Sequence, residues 1–295
     1  MQVPATFAYE RADSVPHAIA LLERYGPDAR IVAGGHSLIP MMKLRLAQPE
    51  ALIDINGLAG ELGRIAVEGE GEGEGEGEVL AIGALVRHAE LLDSTAATDL
   101  FPIFRDAEQV IADPIVRNRG TVGGSLCQAD PSEDLAAVFA ALRATAVIQG
   151  PGGVRAVPIR EFHRGPYETA VEPNELLIQL RVPVRPGTGS AYEKVERRVG
   201  DWPVAAAGAV LTVEDGVITS AGIGLTAVGA EGFHAPEAEE LLTGRPPGAE
   251  AFAEAGRVAA EHCEPHADQR GPADYKRHLA AELTRRALTT AAGRI

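Results

Sequence analysis

Cysteine is scarce in this chain: Cys127 and Cys263 are the only two among 295 residues. That excludes a four-cysteine zinc site or an ordinary four-cysteine iron–sulfur cluster. No HExxH run or calcium-loop pattern is present, so no metal is expected on this chain. A disulfide between the two is not expected in a reducing compartment. Long apolar runs are missing as well. None approaches the ~18 residues that a membrane span requires, so no stable membrane insertion is expected. The start, "MQVPATFAYERADS", has no basic region followed by an apolar core, which points away from a secretory signal and toward a cytoplasmic protein. Excess positive charge is also absent. The net charge is −15, which argues against a general nucleic-acid or anionic-membrane surface. Part of the excess is local, since Glu68, Glu70, Glu72, Glu74, Glu76 and Glu78 belong to one repeat. The rest is ordinary: 45% hydrophobic and 23% charged residues suit a globular protein with room for two or three subdomains.

Residues 1–57 read strand–helix–strand–helix–strand. "FAYER", "ARIVAGG" and "ALIDI" are the strands. "SVPHAIALLERYG" is a helix with Ser14 as N-cap, Pro16 in its first turn and Gly26 as its stop. "SLIPMMKLRL" reads as a short helix. Such alternation favours parallel pairing. The Gly–Glu repeat at 68–78 cannot bury a core and repels itself, so it reads as an expanded hairpin tip between "RIAV" and "VLAIGA". Helices are expected near 96–111 and 132–143, then two strands joined by "GPGG" at 150–153. The texture changes near 175, where "VEPNE" supplies Pro and Asn. Strands then dominate, with "EDG" as a hairpin signal. Helices follow near 235–243, 248–262 and 272–291.

Two glycine loops carry the chemistry. In "IVAGGHSL" (31–38), an apolar strand runs into Gly34 and Gly35. In "TVGGS" (121–125), Gly123 and Gly124 lie beside Thr121 and Ser125. Glycine at a strand-to-helix turn lets backbone N–H groups converge on an anion. No Lys is present to make a P-loop, and the spacing is not GxGxxG. A retained dinucleotide, whose pyrophosphate is never cleaved, therefore suits the loops better than a hydrolysed nucleotide. Each pair also reads as a plain tight turn. Asp134, at the next helix start, reads either as helix-start charge or as a ribose ligand.

Four stretches carry more: "AGGHSLIPMMKLRLAQPEALIDI" (33–55), "DPIVRNRGTVGGSLCQADPSEDLAAV" (113–138), "YEKVERRVGDWPVAAAGA" (192–209) and "DYKRHLAAELTRRAL" (274–288). In order and over nearly the whole chain, they resemble the flavin-binding subunit of molybdenum hydroxylases. The look is closest to the medium subunit of aerobic carbon monoxide dehydrogenase, with the same module in xanthine dehydrogenase. The resemblance implies an α+β fold: a two-part FAD-binding domain of the vanillyl-alcohol-oxidase (PCMH) type, then a smaller C-terminal α+β domain of antiparallel sheet plus helices. The expected divisions are 1–57, 58–175 and 176–295. It implies FAD on this chain, molybdopterin on a large partner subunit and [2Fe–2S] clusters on a small one, assembled as a dimer of heterotrimers. Electrons from the clusters would pass through the flavin, which accepts them singly and discharges them in pairs, to an external acceptor.

The implied FAD residues are Ile31, Val32, Ala33, Gly34, Gly35, His36, Ser37 and Leu38, with Thr121, Val122, Gly123, Gly124 and Ser125 as a second wall. Asp134, Leu177, Lys194 and, less securely matched, Ile111 complete the set. His36 is expected to supply backbone rather than a covalent flavin link. Without the resemblance, Lys194 reads as a solvated strand charge. Arg197, Arg198 and Asp201 shape the flavin edge or a subunit contact, or are surface charge. No catalytic acid, base or nucleophile is required of this chain. Two other readings stand beside this one. One is a self-contained FAD-dependent oxidoreductase of the same superfamily, with its own substrate pocket. The other is a non-redox nucleotide-binding interaction module.

Overall fold

The computed structural model describes residues 3–69 and 77–295. Its first unit contains β1 (Ala8–Arg11), α1 (Val15–Tyr25), β2 (Ala29–Val32), α2 (Leu38–Lys43) and β3 (Ala51–Asp54). The strands form a parallel sheet in the order β1-β3-β2, as strand–helix alternation requires. Helix α1 starts as expected: the Ser14 hydroxyl accepts the His17 N–H at 3.2 Å, and Gly26 ends the helix at φ +66°. Ala18, Ile19, Leu21 and Leu22 bury its apolar face with Ile53. The strands are parallel, so the segments leaving β2 and β3 emerge at the same edge, where open α/β sheets bind ligands.

Helix α3 (Ala59–Leu62) leads to β4 (Ile65–Glu68) and β5 (Val79–Gly83), which pair antiparallel with Glu68 opposite Val79. The tip expected between them falls largely on 70–76, outside the described residues. A helical block follows: α4 (His88–Asp93), α5 (Thr95–Thr98), α6 (Ile103–Val110), α7 (Pro114–Arg117), α8 (Val122–Gln128) and α9 (Asp134–Ala141). The single helix expected over 96–111 is thus two, parted at Pro102, the N-cap of α6. Proline has no N–H to continue α5 and is well placed at a helix start. Strands β6 (Thr145–Gly150) and β7 (Gly153–Pro158) form the expected hairpin. A short ribbon, β8 (His163–Gly165) with β9 (Glu168–Thr169), precedes β10 (Leu176–Pro183).

Strand β10 corrects the division drawn at 175. It pairs antiparallel with both β5 and β6, at the centre of the sheet β4-β5-β10-β6-β7. Residues 176–183 therefore belong to the second unit, and the chain changes unit after Pro183. The change in texture at 175 marks a strand returning to an older sheet, not the start of a new one.

The last unit is a three-stranded antiparallel sheet, β11 (Thr188–Glu196), β12 (Pro203–Glu214) and β13 (Val217–Thr226). Its hairpin turns at Asp215 and Gly216, with φ +50° and +79°, the double positive φ of a type I′ turn. Helices α10 (Pro236–Leu242), α11 (Ala249–Glu261) and α12 (Ala273–Ala292) follow. Leu279, Leu283 and Ala287 of α12 lie in a core shared with Ala205, Ala207, Ile223 and Leu225 of the sheet. The alanine-rich α9 also lies against β12 and β13. A Cβ on Gly222 or Gly224 would stand 1.9 Å from the carbonyl oxygen of Ala141 or Ala137, so this close approach needs glycine. Glu239 of α10 reinforces the joint, pairing with Arg160 at 2.5 Å and Arg143 at 2.7 Å and accepting the Ile223 N–H. No helix among the described residues is long and apolar enough to cross a membrane.

Candidate cofactor site

A cleft with a cavity volume of about 870 Å³ opens where the three units meet, within the range of ~300–1,000 Å³ usual for ligand pockets. All of residues 31–38 line it. Gly35 takes φ +76°, and a Cβ on Gly34 would stand 2.4 Å from the Arg119 carbonyl oxygen. Glycine is therefore needed at both positions, once for conformation and once for space. The N–H groups of Gly34, Gly35, His36 and Ser37 donate to no acceptor among the described residues. This run of open donors is the feature a bound anion would satisfy. His36 is exposed, and its Nδ1 lies 3.1 Å from the Gly34 carbonyl oxygen.

The second loop is built differently. Its N–H groups are already engaged: Gly123 to the Ala84 carbonyl at 2.8 Å, Gly124 to the Thr121 hydroxyl at 3.1 Å, and Ser125 to the Thr121 carbonyl at 2.9 Å. Thr121 is the N-cap of α8. Gly123 lets that helix press against Ala84, where a Cβ would stand 2.7 Å from the Ala84 Cβ. The second wall therefore offers no open backbone donor at 123–125, and its Thr121 and Ser125 hydroxyls are engaged with Gly124 and Glu133.

A chain of side chains holds the two loops together. Asn56, just after β3, donates through Nδ2 to the Ala33 carbonyl at 2.8 Å, and its Oδ1 accepts from Arg87 Nη2 at 2.7 Å. Arg87 Nη1 donates to the Arg119 carbonyl. Asp54 Oδ1 accepts from Asn56 at 2.7 Å, while Oδ2 accepts from the Tyr9 hydroxyl at 2.6 Å.

Behind the second loop lies a buried charged cluster. Asp134 Oδ2 accepts from Lys194 Nζ at 3.0 Å and Oδ1 from the Tyr192 hydroxyl at 2.7 Å. Burial raises the Asp134 pKa, with Lys194 and Tyr192 opposing the rise. His88 Nδ1 lies 3.0 Å from Glu108 Oε2. Burial would lower the His88 pKa, but Glu108, joined by Glu133 and Asp134, turns the net direction upward. Glu133 accepts from the Ser125 hydroxyl. Burial pushes its pKa up to about 7, against the Ser125 hydrogen bond and aided by Asp134.

Of the residues expected from the sequence, the cleft brings together 31–38, Ile111, Thr121, Gly123, Gly124, Ser125, Asp134 and Leu177. Val122 and Lys194 are not on its wall. Val122 is fully buried in the core behind the loop, because Val122 begins α8 with its apolar side chain turned inward. Lys194 is no solvated strand charge: its side chain is 3% exposed and supports Asp134 from behind. Sequence reasoning missed Asn56, Arg87, His88 and Glu133. Position at the carboxyl end of a buried parallel strand was a usable signal for Asn56; nothing local marked Arg87. Asp201 does reach the cleft, with Gly200 and Trp202, while Arg197 donates to the Gln269 carbonyl at 2.8 Å.

Residues 5–185 match the model of the FAD binding domain in molybdopterin dehydrogenase, and residues 190–291 match the CO dehydrogenase flavoprotein C-terminal domain. Fold and cleft together define an FAD-binding oxidoreductase subunit. The carbon monoxide dehydrogenase medium chain of Afipia carboxidovorans is 41% identical over 293 residues, covering 99% of both chains. That of Hydrogenophaga pseudoflava is 40% identical over 290 residues, covering 98% of both. A solved carbon monoxide dehydrogenase from Hydrogenophaga pseudoflava, lacking the Mo-pyranopterin moiety of its molybdenum cofactor, superposes with a TM-score of 0.91 at 42% identity over 99% of each chain. The chain therefore belongs to the family of FAD-carrying medium chains of carbon monoxide dehydrogenase and related molybdenum hydroxylases.

Proposed function

We propose that this chain is the electron-relay subunit of a cytoplasmic molybdenum hydroxylase. In this reading it takes electrons from [2Fe–2S] clusters on a small partner and hands them to an external acceptor. Substrate is oxidised at molybdopterin on a large partner, and the whole is a dimer of heterotrimers. The carrying observation is the run of open N–H donors at 34–37 on the floor of a cleft large enough for a dinucleotide.

The residues fit FAD. The first loop offers backbone donors to a pyrophosphate without the Lys that γ-phosphate chemistry needs. Asn56 and Arg87 fix the distance between the two loops, so the donors are held in place before the cofactor arrives. Asp134, oriented by Tyr192 and Lys194, presents a held carboxylate suited to accepting from a sugar hydroxyl. Ile111 and Leu177 give the cleft an apolar face for a ring system. FAD, when bound, supplies the conversion between one- and two-electron transfer; the chain supplies position and electrostatics.

The test is purification of the tagged chain from its native cell, followed by flavin, molybdenum and iron analysis. All three travelling in fixed ratio is the expected result. A flavin-loaded chain that elutes free of both metals would instead favour a self-contained flavoprotein.

A further inference from the structure

The buried cluster beside the cleft contains more acid than base. Glu108 (fully buried), Glu133 and Asp134 face two basic groups, His88 and Lys194. His88 is held by Glu108, and Lys194 by Asp134, with Glu196 a further 3.6 Å contact of Lys194. Glu133 makes no ion pair among the described residues, and its burial is only partly offset by His88. It is 7% exposed, lines the cleft and accepts one hydrogen bond, from the Ser125 hydroxyl to Oε1. Its Oε2 has no hydrogen-bond partner among the described residues. The groups that act on it are Ser125 on α8, Asp130 on the preceding loop, Asp134 on α9, His88 on α4 and Tyr192 on β11, with Glu108 on α6 and Lys194 on β11 behind them. Two of these neighbours, Asp130 and Asp134, add negative charge.

We propose that Glu133 is a further dinucleotide-binding residue, one that holds FAD in its protonated form, so that binding the cofactor takes a proton from solvent. This rests on the FAD reading of the cleft. The hydroxyl of Ser125 is committed to Oε1, so a proton on the carboxyl sits on Oε2, and the carboxyl becomes a donor. An ionised Glu133 would instead add its charge to a cleft about to receive a pyrophosphate. Unpaired burial favours the neutral form, and the arriving anion favours it further. The balance is one proton taken up per FAD bound wherever free Glu133 is ionised. With the free carboxyl titrating near 7, uptake is small below that pH and grows above it.

The experiment is calorimetric titration of the deflavinated full-length chain, or its purified complex, with FAD. Buffers of different ionisation enthalpy give the proton count at each pH. At about one pH unit above neutrality, the wild type should take up close to one proton. Its affinity should fall by up to about tenfold for each further pH unit. Glu133→Gln, which keeps the shape and a fixed donor, should bind FAD with no proton uptake and a flat pH profile. FAD binding to the wild type without proton uptake, or with uptake that persists in Glu133→Gln, would overturn the assignment while leaving the cofactor reading intact. No binding of FAD at all would overturn both.

Discussion

A methyl group at Gly34 would stand 2.4 Å from the Arg119 carbonyl oxygen, which Arg87 holds in place. The loop has little freedom to retreat, because Asn56 pins the neighbouring Ala33 carbonyl at 2.8 Å. Overpacking of this sort costs about 1–3 kcal/mol, so Gly34→Ala should weaken FAD binding by roughly ten- to a hundred-fold, read by titration of the deflavinated protein. Asp134 makes a second test at this scale. Its partner Lys194 is 3% exposed, and without Asp134 it keeps only the longer 3.6 Å contact to Glu196, so the loss should approach but not exceed the about 3–5 kcal/mol of a broken buried pair. Asp134→Ala should shift the urea midpoint accordingly. An unchanged midpoint would mean that Lys194 finds solvent. The sequence showed that Asp134 and Lys194 belong to one motif set. It did not show that they touch, because 60 residues separate them and no local pattern reports a pairing across units.

At the scale of elements, the close approach of α9 to the C-terminal sheet joins the cofactor cleft to the last unit. Asp134 opens α9, and Ala137 and Ala141 further along it lie against Gly224 and Gly222. Gly224→Ala should force helix and strand apart, costing at least the usual ~1–3 kcal/mol of an overpacked core, measured by chemical denaturation. Part of this architecture was legible beforehand. The parallel first unit followed from strand–helix alternation, and the hairpin of the last sheet from "EDG". The last helix followed from the apolar spacing of Leu279, Leu283 and Ala287. The insertion of β10 between β5 and β6 was not legible, because pairing of distant strands depends on partners that no local window contains. The same holds for the second glycine loop. Its N–H groups are satisfied by Ala84 and Thr121, so "GG" there reports helix–strand packing where the sequence suggested anion binding.

For the whole molecule, three units contribute to one cleft. The parallel sheet gives the open donors and the helical block gives the second wall. The C-terminal unit brings Gly200–Trp202 to the cleft and Lys194 to the support behind it. In the proposed relay role, this cleft holds a flavin through which electrons leave the partner subunits. The direct measurement uses the purified complex with and without its FAD, followed anaerobically after adding reducing substrate. A relay flavin predicts that the flavin-free complex still reduces its iron–sulfur clusters but no longer reduces the external acceptor, and that returning FAD restores the second step. Undiminished acceptor reduction without flavin would contradict it.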